Sequence, residues 1–298
     1  MDGRIVLLGI PGSPVAEAIA AQLAGMGREG VVRDLLAPLA GRPVTVADGR
    51  VTWEGVELTA AAALFVEAPV FPWPQPWRLA ELAPGGRPSR ELVAAEREGR
   101  SLLASALLAA AAAVPAVVPP GTAHEAVVPA LPLVSAARAG LPVAPWTLEP
   151  RPAEPPPGIL VADAAGRDLV HVPARPPDPG EPALLVRAGG ETVTLLVAGH
   201  TVLAACRTRE PVLPPDPREA SAMEPDALPA AVRELATAAA GRLPLAAVTL
   251  TTGGGPRVAF VEAAPDLAAW HTARGGAIAS GVARLLASLA EHHEEDRR

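Results

Sequence analysis

Residues 245–270, LAAVTLTTGGGPRVAFVEAAPDLAAW, restrict the fold of this chain more than any other stretch. They predict two strands, 246–251 and 257–262, joined by the turn Gly253-Gly254-Gly255 and closed by an acidic loop that carries Glu262 and Asp266. They belong to a C-terminal half that reads as α+β, with strands flanked by helices.

The front of the chain reads differently. Residues 4–10 (RIVLLGI) form a buried strand, Pro11-Gly12-Ser13-Pro14 a turn, 15–27 a helix and 30–35 a second strand. Ser13 suits the N-cap with Pro14 in the first helical position. This β-α-β order predicts a parallel sheet. The turn holds Gly9 and Gly12 but lacks the full GxGxxG pattern, so it reads as a tight connection and not as a dinucleotide site. Asp48-Gly49 within 44–58 predicts a hairpin, 64–66 a further buried strand, and Ser89 the cap of a helix that ends at Pro115. Trp73 and Trp77 either line a binding surface or pack against that helix.

Beyond it come a strand at 116–118, a helix at 123–139 interrupted by Pro129 and Pro132 and closed by Gly140, and an extended exit at 141–147. The proline-rich 149–157 predicts a stiff linker. Strands are expected at 159–162, 168–172, 183–187, 192–198 and 201–207, followed by a proline-rich surface segment at 211–229. A helix at 230–241 precedes the hairpin, and an amphipathic helix at 277–289 follows it. Residues 292–298 form a charged tail, expected to fray.

With 298 residues, half of them apolar, the chain has material for two cores. A net charge of −7 and a pI near 5.5 argue against nucleic acid or an anionic membrane as partner. All 25 basic residues are arginine, so any mechanism that needs a lysine is excluded. The single Cys206 excludes an internal disulfide and a cysteine-based zinc site. None of the six histidines forms an i, i+4 pair with a supporting glutamate, and no GxSxG elbow is present. The apolar window 101–118 is mostly alanine and holds Pro115, which suits a buried helix better than a membrane span. The N-terminal apolar run is too short for a signal peptide, so a cytoplasmic location is expected.

The order of these elements resembles the ATP-grasp superfamily, in particular the glutathione-synthetase and RimK-like carboxylate–amine ligases. Pro119-Pro120-Gly121 sits where that family turns out of its first domain, and 137–147 (ARAGLPVAPWT) is similar to the family's "A…GLPVPPT" segment. Residues 184–206 look like its hinge and "G-x-E-x-R" strand pair, and 247–265 resembles "avDl…leVN…P". The resemblance implies an α/β chain with an α+β C-terminal half: a pre-ATP-grasp parallel-sheet domain over 1–118, then a two-lobed ATP-grasp-like domain over 119–291. Its small lobe would span about 158–206 and its C-terminal lobe about 207–291.

The resemblance also implies ATP and Mg²⁺ as cofactors. It places ATP at Arg138, Leu185, Arg187, Glu191 and Arg207, and metal at Glu262 and Asp266. Several family positions are changed, however. The two phosphate-binding lysines are missing. The strand that should carry one of them ends in Asp163, and the flap is reduced to Asp163-Ala164-Ala165-Gly166. A like-charge contact at about 4 Å costs about 4 kcal/mol at an effective dielectric of about 20. Thr249 replaces the family's metal-binding aspartate, Ala264 its asparagine and Thr194 its arginine. Glu262 can equally be a structural carboxylate, and Arg207 can simply pair with Glu191. Two functions therefore stand side by side. One is a non-catalytic binding or partner subunit, taking a small molecule or peptide and pairing with a protein partner or with itself. The other is a divergent but active ATP-dependent carboxylate–amine ligase in which arginines stand in for lysines.

Overall fold

The computed structural model describes residues 3–68, 83, 89–117, 130–163, 182–188, 190–208 and 212–298. The expectations for Trp73, Trp77, the turn 119–121, the first turns of the 123–139 helix, the flap 164–166 and the strand 168–172 lie outside these residues. Two compact units emerge. The described residues of 1–123 and of 286–298 make the first, and those of 124–167 and 174–285 the second.

The first unit contains β1 (Ile5–Gly9), α1 (Val15–Gly25), β2 (Gly30–Asp34), β3 (Val44–Ala47), β4 (Arg50–Trp53), β5 (Val56–Glu57), β6 (Ala63–Val66), α2 (Arg90–Ala113) and β7 (Ala116–Val117). Strands β2-β1-β6-β7 form an all-parallel sheet. The unbroken apolar runs of β1 and β6 are buried throughout, as a parallel sheet with both faces covered requires. α2 presents Leu103, Ala104, Ala106, Leu107 and Ala110 at three- and four-residue spacing to a core shared with Val6, Leu8, Leu64, Val66 and Trp53.

Ser89 caps α2 as expected, its side chain accepting the Leu92 N–H at 3.2 Å. Ser13 does not cap α1 in the same way. Pro14 takes the cap position without a side-chain bond, while the Ser13 hydroxyl accepts the Val15 N–H at 3.3 Å and donates to buried Glu67, which also accepts the Ile10 N–H at 2.8 Å. A buried carboxylate needs such donors.

The Asp48-Gly49 hairpin is present, and a second turn at Glu54-Gly55 extends it to the meander β3-β4-β5. In both turns two successive residues are left-handed: Asp48 at φ 52° and Gly49 at 75°, then Glu54 at 46° and Gly55 at 79°. That is the type I′ pattern, whose twist matches the strands it joins.

The second unit contains α3 (Ala130–Arg138), β8 (Trp146–Pro150), β9 (Ile159–Asp163), β10 (Pro182–Arg187), β11 (Thr192–Ala198), β12 (Thr201–Thr208), β13 (Val212–Leu213), β14 (Ser221–Met223), α4 (Ala230–Ala240), β15 (Leu245–Thr251), β16 (Arg257–Glu262) and α5 (Leu267–Arg274). α6 (Gly276–Asp296) begins here and ends in the first unit. Two sheets organise the unit, β13-β9-β10-β8 and β14-β12-β11-β15-β16. α3 and α4 pack on one face of the five-stranded sheet through Leu133, Val232, Leu235 and Ala236 against Val193, Leu195, Val248 and Leu250.

Several details differ from the sequence expectations. The start of the expected linker is strand β8, with Glu149 opposite Ala183 and Pro150 opposite Pro182 at the sheet edge, where proline is tolerated. The expected surface segment 211–229 adds β13 to one sheet and β14 to the other, and it buries Leu213 and Leu228. α5 replaces part of the expected loop, and α6 continues past Leu289 to Asp296 because Arg28 holds Glu294 at 2.9 Å and Glu291 at 3.3 Å. β9 and β10 pair in one sheet, and β11 pairs directly with β15 in the other. Among the described residues, no helix is long and apolar enough to cross a membrane.

Candidate functional site

Successive residues of a strand point to opposite faces. Because Val193, Leu195 and Val197 of β11 enter the core, Thr192, Thr194 and Leu196 occupy the other face. Register extends this second face sideways. Thr194 lies opposite Cys206 and Thr249, Thr192 opposite Thr208 and Thr251, and Ala247 opposite Glu262. All five buried threonines among the described residues are therefore on one face of one sheet. Three of their hydroxyls bond within the sheet. Thr194 Oγ1 is 2.8 Å from Thr249 Oγ1, and Thr192 donates to the Thr208 carbonyl at 2.9 Å.

Cys206 shares this face. Burial pushes its thiol up to about 11, with the nearby Asp216 carboxylate adding to the rise and the positive charge of Arg274 opposing it. At neutral pH Cys206 is a protonated thiol, not a nucleophile or metal ligand.

Around this face lie groups from β16, α5 and the segment before β14. Glu262 ends β16, half-buried. Asp266 caps α5 by accepting the Ala269 N–H at 2.9 Å. Asp216 grips Arg218 side-on, with the Arg218 Nε 2.9 Å from Oδ1 and 3.1 Å from Oδ2. That bond is the main reason the Arg218 guanidinium is held above its usual range, and Asp266 contributes more weakly. His271 and Arg274 lie one turn apart near the end of α5. The Arg274 Nη1 donates to the Ala273 carbonyl at 2.9 Å, whereas its Nε and Nη2 are buried without a partner, as is the His271 Nδ1. A buried donor left unsatisfied costs about 1–3 kcal/mol.

The residues expected to bind ATP fall in several places. Arg138 is exposed in the last turn of α3, and Leu185 sits in β10 between Thr147 and Val161. Arg187, exposed at the end of β10, gives its backbone N–H to the Pro145 carbonyl at 2.8 Å. Glu191 and Arg207 come together at 3.3 Å, but their side chains are 50% and 41% exposed, so the pair contributes little. Sequence reasoning missed Arg218, His271 and Arg274. An N-capping Asp266 followed by Leu267 and Trp270 at helical spacing was the available signal for α5.

Magnesium usually takes one or two carboxylates together with phosphate oxygens. Here Thr249 and Thr194 spend their hydroxyls on each other, and one Asp266 oxygen is committed to a cap. Among the described residues no group of three His, Cys, Asp or Glu is arranged to hold a metal ion.

The first unit has a separate cavity of about 500 Å³ at the carboxyl ends of β1 and β2, lined by Gly9, Ser13, Asp34, Arg42 and Glu54 among others. Three of its charges, Asp34, Arg42 and Glu54, pair with one another. Arg42 holds Glu54 at 2.7 Å and keeps that carboxyl below the usual range, and Glu54 also accepts the Asp34 N–H at 3.1 Å.

No family model and no curated protein matches the chain. Solved structures do match over nearly the whole length. One is the ATP-grasp ligase PsnB complexed with precursor peptide PsnA2 and AMPPNP, with a TM-score of 0.70, 17% identity, and coverage of 97% of this chain and 98% of that one. Another is a Chryseobacterium gregarium RiPP-associated ATP-grasp ligase in complex with ADP and a leader and core peptide, at TM-score 0.67 and 12% identity, covering 96% and 97%. A third is the macrocyclase MdnC bound with precursor peptide MdnA from Microcystis aeruginosa MRC, at TM-score 0.65 and 11% identity, covering 96% and 99%. The chain has the ATP-grasp fold.

Proposed function

We propose that this chain is a peptide-binding protein on an ATP-grasp frame that no longer transfers phosphoryl groups. The observation that carries this reading is the Thr194–Thr249 hydroxyl pair, buried where the resemblance puts an arginine and a metal-binding aspartate. An acyl-phosphate ligase must gather cations and metal around several negative charges. This chain has no lysine with which to do so. Support for a peptide ligand comes from the precursor peptides held by PsnB and MdnC. The division of the chain at about residue 118, with a protein partner or a second copy to supply any chemistry, belongs to the same reading.

The second reading, a divergent active ligase, is favoured by one observation: structural neighbours hold AMPPNP, or ADP with Mg. In that case Arg138 and Arg187 would cradle phosphates beside Leu185, Glu191 and Arg207, and Glu262 and Asp266 would hold metal. Thermal denaturation with Mg-ATP separates the two. A ligand at a hundredfold excess over its Kd stabilises by about 2.7 kcal/mol. The non-catalytic reading expects no shift at millimolar Mg-ATP and no ADP release when peptide is added. A saturable shift with ADP release establishes the ligase instead.

A further inference from the structure

Three of the five buried side-chain nitrogens without a partner, among the described residues, belong to two side chains one turn apart on α5: Nε and Nη2 of Arg274, and Nδ1 of His271. The two Arg274 atoms form one edge of the guanidinium, the edge whose parallel N–H bonds grip a carboxylate or phosphate side-on. Arg218 shows that geometry already filled, with its Nε against both oxygens of Asp216. Among the described residues, nothing bonds to the same edge of Arg274. Its Nη1 is fixed by a backbone carbonyl, which orients the guanidinium without neutralising it.

The other two orphan nitrogens differ in this respect. Arg207 and Arg233 each have a buried unpartnered Nε, but Glu191 and Asp226 hold their Nη1 atoms at 3.3 Å and offset the charge. Asp216 is committed to Arg218, and one Asp266 oxygen to the helix cap. A cation near a helix C-terminus gains from the dipole, which accounts for an arginine at this position. It does not account for burying the forked edge empty of any partner.

We propose that the Nε–Nη2 edge of Arg274, with His271 beside it, is a binding site for a single oxyanion group, a carboxylate or a phosphate, supplied by the ligand. The site adjoins the threonine face through Cys206, whose thiol feels the Arg274 charge. It stands independently of whether the chain turns over ATP, because it uses neither metal nor nucleotide.

The test uses the whole chain without nucleotide, at constant ionic strength, with acetate and inorganic phosphate as separate probes. Binding is followed by the Arg274 Nε–H NMR resonance and by thermal denaturation. Saturable movement of that resonance is expected, with affinity at least about tenfold weaker in Arg274→Gln and in Arg274→Lys, which keeps the charge but lacks the fork. A response to acetate alone assigns the site to a carboxylate, and a response to phosphate alone to a phosphate. If neither probe moves the resonance, or if Arg274→Lys binds as well as the parent, the proposal fails. Should Arg274→Gln not fold, the Lys variant and the resonance still decide. None of these outcomes depends on Mg-ATP, so failure here is distinct from failure of the proposed function.

Discussion

The side-chain hydroxyls of Thr194 and Thr249 lie 2.8 Å apart across the β11–β15 ladder, both fully buried. Each satisfies the other, so removing one leaves an unpaired polar group. Thr249→Val should destabilise the chain by about 1–3 kcal/mol. The double variant Thr194→Val/Thr249→Val should cost less than the sum of the singles, because both polar groups then leave together. A urea-denaturation double-mutant cycle measures this, and strictly additive losses would disprove the pairing.

Gly190 precedes β11 with φ at 148°, and a Cβ there would stand 2.8 Å from the backbone nitrogen of Gly253. Gly190→Ala must therefore push backbone against backbone, with an expected loss of about 1–3 kcal/mol. Gly254→Ala probes the same turn without any clash, since no atom lies within 4 Å, and it meets only the strain of its φ of 73°. Comparing the two denaturation midpoints tests whether close approach or left-handed backbone sets the penalty.

Cys206 gives a dependence on alkaline pH. Burial raises its thiol from 9.0 to about 11, so the folded chain favours the protonated form. That advantage is complete below about pH 9 and is lost as pH rises through the folded value. Stability should fall by up to about 3 kcal/mol over this interval. Cys206→Ala should lack this slope, and iodoacetamide should label Cys206 only on unfolding.

Glu54 gives the acid counterpart. Its carboxyl is held low chiefly by the hydrogen bond from Arg42, with burial opposing. The resulting stability is present above the ordinary carboxylate range and is lost as pH falls through the depressed folded value. Because the Arg42 side chain is 54% exposed, Arg42→Gln should cost under about 1 kcal/mol at neutral pH. NMR titration should show the Glu54 midpoint moving up in that variant.

Apolar runs and turn chemistry made much of the fold legible in the sequence. The hairpin around Gly253–Gly255 and the Asp48-Gly49 turn stand where local pattern put them, and Ser89 caps the helix predicted from it. What stayed hidden depends on partners distant in the chain. Nothing near Ser13 says that Glu67 will take its hydroxyl, and nothing near Glu149 says that Ala183 will recruit a proline-rich stretch as a strand. The site divides in the same way. The loss of lysine could be read directly from the residues, whereas the Arg274 edge left without a partner among the described residues is visible only in the folded chain.

Arg28, just after α1, takes its ion-pair partners 263 and 266 positions later, in α6. The parallel sheet therefore leaves a ribosome well before the residues that complete its surroundings. Closing a loop of that length is slow relative to local helix or hairpin formation. During synthesis the first unit must persist for a time with one flank uncovered, and this is the interval in which a chaperone or a binding partner would meet it.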